Sequence, residues 1–168
     1  LLLALTIGTG AAAAQAPPPA VDPLHKPFDE ILDIYVRDGL VYYYALKVER
    51  SKFDRYVLAL GEVTADTVAK WPRDRQLAYW INAYNAFVLR TVIDTYPIRG
   101  KAPDYPANSI RQIPGAFERR TFRAGGRQLT LDAIERDVIG GLDEPRALLA
   151  LSRGAVGGSR LKSEAYTA

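Results

Sequence analysis

The chain contains no cysteine, no methionine and a single histidine in 168 residues. Without cysteine there are no disulfides, no thiolate metal sites and no thiol nucleophile. The histidine, His25, stands in a proline-flanked entry segment. A histidine zinc site or a serine-histidine-aspartate triad needs an imidazole inside the folded body, and none is expected there. No metal and no cofactor is expected. Charge of one sign is also scarce, with a net charge of only +3. The densest basic group, Arg119, Arg120, Arg123 and Arg127, reads as the solvated face of a hairpin. Nucleic-acid binding would want a denser basic stripe, so no nucleic-acid partner is expected. The apolar run at the start is too short to span a bilayer, and the mature chain is expected to lack a transmembrane helix.

What is present reads as one globular domain, 48% hydrophobic and 24% charged. The opening LLLALTIGTGAAAAQA pairs an apolar stretch with small residues. Ala12-Ala13-Ala14 fits the A-x-A cleavage rule, with Gln15 first in the mature protein. Ala14-Gln15-Ala16 fits it too, but would leave Pro17 first. Lacking a basic start and an initiator, residues 1–14 read as a signal-peptide remnant. Residues 15–27 carry five prolines and read as an extended linker. Residues 28–168 read as a single, C-terminally incomplete domain. Export places the protein in the periplasm or outside the cell.

Along the domain, Phe28, Ile31, Leu32, Tyr35 and Val36 have the spacing of one buried helix face after Pro27. Asp38-Gly39 ends that helix. Leu40 to Leu46 is β-branched and aromatic and is expected to be extended, with at least one of Tyr42, Tyr43 and Tyr44 exposed. A second helix is expected from Lys47 to Gly61, with Gly61 as its C-cap. A helical turn follows over Thr64–Lys70, and then a long central helix over Arg73–Thr95, ended by Pro97. Its apolar stripe is Leu77, Ile81, Tyr84, Val88 and Val92. Phe117–Leu129 reads as a hairpin turning at Gly125-Gly126. Thr130 N-caps a helix over Leu131–Ile139, closed by Gly140-Gly141. Ala147–Leu151 (ALLAL) is fully apolar and reads as a buried strand, before a glycine-rich loop from Gly154 to Gly158.

The central helix carries QLAYWINAYNAFVLR, Gln76 to Arg90, with Asn82 and Asn85 three residues apart among Trp80, Ile81, Tyr84 and Phe87. Asparagine is a poor interior helix residue because its amide competes for backbone groups. Two of them in an apolar setting point to a specified polar network. Either the amides tie the helix to neighbouring backbone, or one points into a pocket to orient a reacting group. Other motifs are weaker. The AVGGSR loop, Ala155 to Arg160, lacks phosphate-loop spacing. Ser152 and Ser159 have only Lys162 nearby as a base. Asp132 and Glu135, possible as an acid pair, are placed to serve a helix dipole.

Five motifs resemble the family called domain of unknown function 547. They are LVYYYALK (Leu40 to Lys47), the central QLAYWINAYNAFVLR, SIRQI (Ser109 to Ile113), LTLDAIE (Leu129 to Glu135) and GAVGGSRLKSEAY (Gly154 to Tyr166). The resemblance implies an α+β fold, helices including one long central helix packed on a small antiparallel sheet. It also implies a papain- or transglutaminase-like layout, in which a cysteine, a histidine and a polar orienter cleave or transfer acyl groups. Family members carry a histidine in the strand before the glycine loop, two cysteines bracketing that loop, and a histidine after the isoleucine-glutamate pair. Here Leu148, Arg153, Gly158 and Arg136 stand at those positions, and Ser159-Arg160 replaces a proline pair. The family's domain also runs on beyond the position of Ala168.

Arginine at its pKa is neither nucleophile nor base, and leucine cannot carry a proton. The expectation is therefore a non-catalytic binding or interaction module, its partner an envelope protein or a small ligand. The alternative is a hydrolase or acyl-transferase whose reactive residues are lost or misread in this sequence. The candidate pocket or network is Asn82, Asn85, Trp80 and Tyr84, with Arg146, Ser152 and Arg153 flanking the ALLAL segment.

Overall fold

The computed structural model describes residues 20–155 and 157–168; the signal-peptide remnant and the start of the linker lie outside them. Helix α5 (Arg73–Thr95) is the axis of the fold, with the bounds its sequence pattern gives. Every residue from Leu77 to Leu89 is buried, so this helix is enclosed on all sides rather than along one stripe. Helix α1 (Lys26–Tyr35) covers one side, burying Phe28, Ile31, Leu32 and Tyr35, with Pro27 in its first turn where no N–H is needed.

After α1 the chain makes a two-residue turn. Asp38 and Gly39 have φ of 53° and 79°, the left-handed pair that matches the twist of a tight hairpin. This joins β1 (Val36–Arg37) to β2 (Leu40–Val41), with Val36 opposite Val41. The extended piece expected over Leu40–Leu46 stops there, and Tyr43–Val48 forms helix α2 instead. Only β1 pairs with the segment, while coiling lets Leu46 reach the core at 1% exposure. Tyr42 and Tyr44 are left exposed.

Helix α3 (Ser51–Glu62) begins later than expected, after a break at Glu49. Gly61 does not cap it: the helix runs one residue further. Gly61 instead lets α3 lie close on the following hairpin, since an added Cβ would sit 3.3 Å from the Arg123 carbonyl oxygen. Thr64 caps the short α4 (Ala65–Ala69), its hydroxyl accepting the Thr67 N–H at 3.2 Å.

The expected hairpin forms from β3 (Thr121–Ala124) and β4 (Arg127–Thr130), turning at Gly125 and Gly126 with φ of 54° and 72°. Phe122 stacks on Phe87 of α5 with ring centroids 4.5 Å apart. The Tyr79 hydroxyl donates to the Leu60 carbonyl and accepts from the Gly125 N–H, both at 2.9 Å, which joins α3, α5 and the hairpin turn. An ion network does the same nearer the surface. Asp94 accepts from Arg50 (2.7 Å), Arg90 (3.0 Å) and Arg120, and Asp54 accepts from Arg50 (2.8 Å) and Arg90 (3.0 Å). Arg120 is thus drawn into the fold, whereas Arg119, Arg123 and Arg127 stand in solvent as expected.

Thr130 caps α6 (Leu131–Ala133), its hydroxyl accepting the Ala133 N–H at 3.1 Å. The helix then widens into a π-helical stretch over Ile134–Ile139. Gly140–Leu142 continues as a 3-10 turn, so the chain is closed at Asp143 (φ 53°) rather than at the glycines. The buried strand expected at Ala147–Leu151 is absent. Pro145–Ala150 is a 3-10 helix, opened by the Glu144 carboxylate accepting the Arg146 N–H, and it exposes Leu148 (44%) and Leu149 (75%). The fold is α+β, its antiparallel sheet realised among the described residues as two separate two-stranded hairpins.

Candidate functional site

Asn82 and Asn85 are 0% and 1% exposed, and both use the amide in full. Asn82 Nδ2 donates to the Tyr166 carbonyl at 2.9 Å, while its Oδ1 accepts the Tyr166 N–H at 2.9 Å. Asn85 Nδ2 donates to the Ala150 carbonyl at 3.1 Å, and its Oδ1 accepts the Ser152 N–H at 2.8 Å. Each amide thus pairs with backbone as a neighbouring strand would. The donor and acceptor on the chain side fix which way each amide faces. Since α5 presents positions 82 and 85 one turn apart, the two clasps hold both ends of the segment from Ala150 to Tyr166. Of the two roles open for the asparagines, this geometry is the backbone tie.

Within the clasped segment, the chain beyond Ser152 faces the β1–β2 turn across a cleft of ≈ 340 Å³. Its lining includes Gly39, Val41, Tyr43, Ser152, Ser159 and Arg160. Arg160 lies over Gly39 so closely that an added Cβ would meet Arg160 Cβ at 2.7 Å. Burial pushes the Tyr43 hydroxyl up to about 12, so it stays protonated and available as a donor at neutral pH. The side-chain polar groups facing the cleft are therefore hydroxyls, one guanidinium and the Asp38 carboxylate at its rim.

A second cluster joins α5 to the same segment. The Tyr84 hydroxyl, fully buried, donates to Glu135 Oε2 at 3.3 Å, and Glu135 Oε1 pairs with Arg153. Burial, then the Glu135 charge, raises the Tyr84 pKa well above the phenol range. Arg153, at a position where the family resemblance expects cysteine, is here the counter-ion of a carboxylate whose side chain is only 15% exposed.

The seven candidate residues are therefore not one pocket. Asn85 and Ser152 meet directly, Asn82 clasps the same segment further on, and Tyr84 reaches Arg153 through Glu135. Trp80 lies elsewhere, under the Gly125 turn, where an added Cβ would stand 2.8 Å from the indole. Arg146 is on the surface, 86% exposed and paired with Glu144. Arg136, Leu148 and Gly158 are also exposed.

The expectation for His25 is overturned. It is 2% exposed, and its Nδ1 lies 2.8 Å from the Tyr56 hydroxyl. Burial lowers its pKa to about 4, against a smaller raising effect of Asp22 and with a further lowering from Arg75. An imidazole is thus present inside the folded body, held neutral, beside a cleft of ≈ 380 Å³ that Asp22, Arg75 and Tyr166 share. Sequence reasoning missed it because proline-flanked segments usually lie on the surface. It also passed over Tyr43 and Arg160 as site residues, although both fall within motifs that carry the family resemblance.

Among the described residues, no three histidine, cysteine, aspartate or glutamate side chains come together as metal ligands. Among them, too, no helix is long and apolar enough to cross a membrane. A family model described as "Protein of unknown function, DUF547" matches residues 68–168. That span takes in α5, both asparagines and the segment they clasp. No curated protein and no solved structure matches the chain.

Proposed function

Because the chain belongs to the DUF547 family of proteins of unknown function, we propose that it serves as a binding module rather than a catalyst, with the glycine-loop cleft as its site. The observation that carries this reading is the chemistry of the cleft wall. Ser152, Ser159, Tyr43 and Arg160 offer hydrogen-bond donors and acceptors around a preformed space. The chain's one imidazole is bonded to Tyr56 in a different cleft, so it does not activate those hydroxyls. The positions at which the family resemblance expects cysteine and histidine carry Arg153, Gly158, Leu148 and Arg136, and Arg153 is engaged by Glu135. A polar small ligand, or a short exposed segment of an envelope protein, suits such a wall. The N-terminal sequence supports a periplasmic or secreted setting for that encounter.

The test is an NMR titration of the full chain with short peptides and envelope-derived small molecules, run beside an ester-hydrolysis assay. Saturable shifts at the Gly39, Ser152 and Ser159 amides, lost in Arg160→Glu, support the reading. Ester turnover above buffer that disappears in Ser152→Ala would sink it.

A further inference from the structure

A groove of ≈ 550 Å³ runs between α3 and β3 and shares no lining residue with the glycine-loop cleft. Its volume falls among small-ligand sites, about 300–1,000 Å³. Its apolar part is Val57, Leu58 and Phe122; its cationic part is Arg90, Arg120 and Arg123, beside the polar Glu62, Thr121 and Gln128. Leu58 is 68% exposed, a large aliphatic side chain bordering the groove with its surface open to solvent.

The charge beside the groove is unbalanced. Arg50, Arg90 and Arg120 share only two carboxylates, Asp54 and Asp94, which leaves one positive charge in excess within the network. Asp94 already accepts from all three guanidinium groups. Arg90 Nη2 and Arg120 Nε and Nη1 have no partner among the described residues, and neither does the Arg123 guanidinium. Glu62, the one carboxylate lining the groove, is exposed and pairs with none of these arginines. Two arginines held in place by a common aspartate lose little side-chain entropy when they engage an anion.

From this we propose that the groove binds a small amphipathic carboxylate. Its head group sits on Arg90 and Arg120, and its apolar body lies along Val57, Leu58 and Phe122. The planar fork of a guanidinium matches a carboxylate in two parallel hydrogen bonds. With the Arg123 charge set against that of Glu62, one positive charge remains in excess, which one carboxylate balances and a phosphate dianion would overshoot. The same chemistry has two sources, a free acyl carboxylate or the terminal carboxylate of a peptide ending in an apolar residue.

The experiment is an amide-detected NMR titration of the full chain with octanoate, N-acetyl-leucine and octanol. Octanoate or N-acetyl-leucine is expected to give saturable shifts at Gly61, Phe122 and Gln128, and the tighter of the two identifies the source. Octanol should bind about tenfold more weakly, because it lacks the charge-assisted pair. Arg120→Gln should weaken carboxylate binding by a similar factor. Leu58→Glu alters an exposed helix position and so leaves the fold intact; it should abolish binding by placing a negative charge beside the apolar track. The proposal is overturned if neither carboxylate gives saturable shifts by about 10 mM. It is equally overturned if octanol binds as well as octanoate, or if Leu58→Glu binds like the native chain.

Discussion

Changing Asn85 to aspartate replaces one NH2 group by an oxygen and keeps the side chain's shape. The Oδ1 that accepts the Ser152 N–H at 2.8 Å is retained, but the donor to the Ala150 carbonyl at 3.1 Å becomes an acceptor facing an acceptor. The site is 1% exposed, so the carboxylate is also stripped of water. An unmade buried hydrogen bond costs about 1–3 kcal/mol, and desolvation of a carboxylate raises its pKa by up to ~3–5 units at ~1.4 kcal/mol each. Asn85→Asp should therefore destabilise the fold by about 3–5 kcal/mol at pH 7. The sign of its pH dependence is distinctive. A folded-state pKa raised above the unfolded ~3.9 makes the destabilisation grow as pH rises through that interval and shrink as pH falls. Near pH 4 the protonated acid can donate to Ala150, and the deficit should drop to about 1 kcal/mol. Asn85→Ala, which loses both bonds, should cost about 2–4 kcal/mol with no such pH dependence. Urea unfolding followed by tryptophan fluorescence, with each variant compared with the native chain at the same pH, measures all of these. If Asn85→Ala costs under about 0.5 kcal/mol, within the range of ordinary surface substitutions, or if the Asn85→Asp deficit is the same at pH 4 and pH 7, the clasp reasoning fails.

Three further outcomes are expected. The unfolded chain takes up a proton on His25 near 6.5 and the folded chain only at about 4. Stability is therefore intact above pH 6.5 and falls as pH drops towards 4, by up to about 3 kcal/mol. In His25→Gln that contribution should vanish from a urea-midpoint series across the same window. Gly125→Ala meets both a left-handed backbone and the Trp80 ring at 2.8 Å; it should cost about 1–3 kcal/mol and shift the Trp80 emission. Asp94→Asn leaves Arg50 and Arg90 with Asp54 alone and takes from Arg120 the carboxylate it pairs with. It should lower stability by about 1–2 kcal/mol in dilute buffer and by less in 1 M salt, read as a change in melting temperature.

The central helix was legible because its information is local: Trp71-Pro72 before it, Pro97 after it, and apolar residues at helical spacing between. The second hairpin was legible for the same reason, since a Gly125-Gly126 pair supplies the turn its strands need. The ALLAL segment misled because apolar composition says nothing about partners. Its Ala150 carbonyl accepts from the Asn85 side chain instead of a strand, a pairing 65 residues away in sequence. Burial of His25 is likewise tertiary, set by Tyr56, 31 residues on. The asparagine pair was readable as a polar network, whereas the Glu135 link between Tyr84 and Arg153 joins residues with no shared local pattern.

The two asparagine clasps have a consequence for how this domain can change over time. Each amide contacts only the peptide groups of Ala150, Ser152 and Tyr166, which every residue type but proline at the last two would supply equally well. The clasps are therefore blind to the side chains carried between them, although buried Leu161 and Ala165 and the Arg153–Glu135 pair add side-chain contacts of their own. Gly158, Ser159 and Arg160 can be exchanged without loosening the clasps that set where they stand. A scaffold of that kind separates holding a loop in place from deciding what the loop does, so its chemistry can be rewritten while its position is inherited.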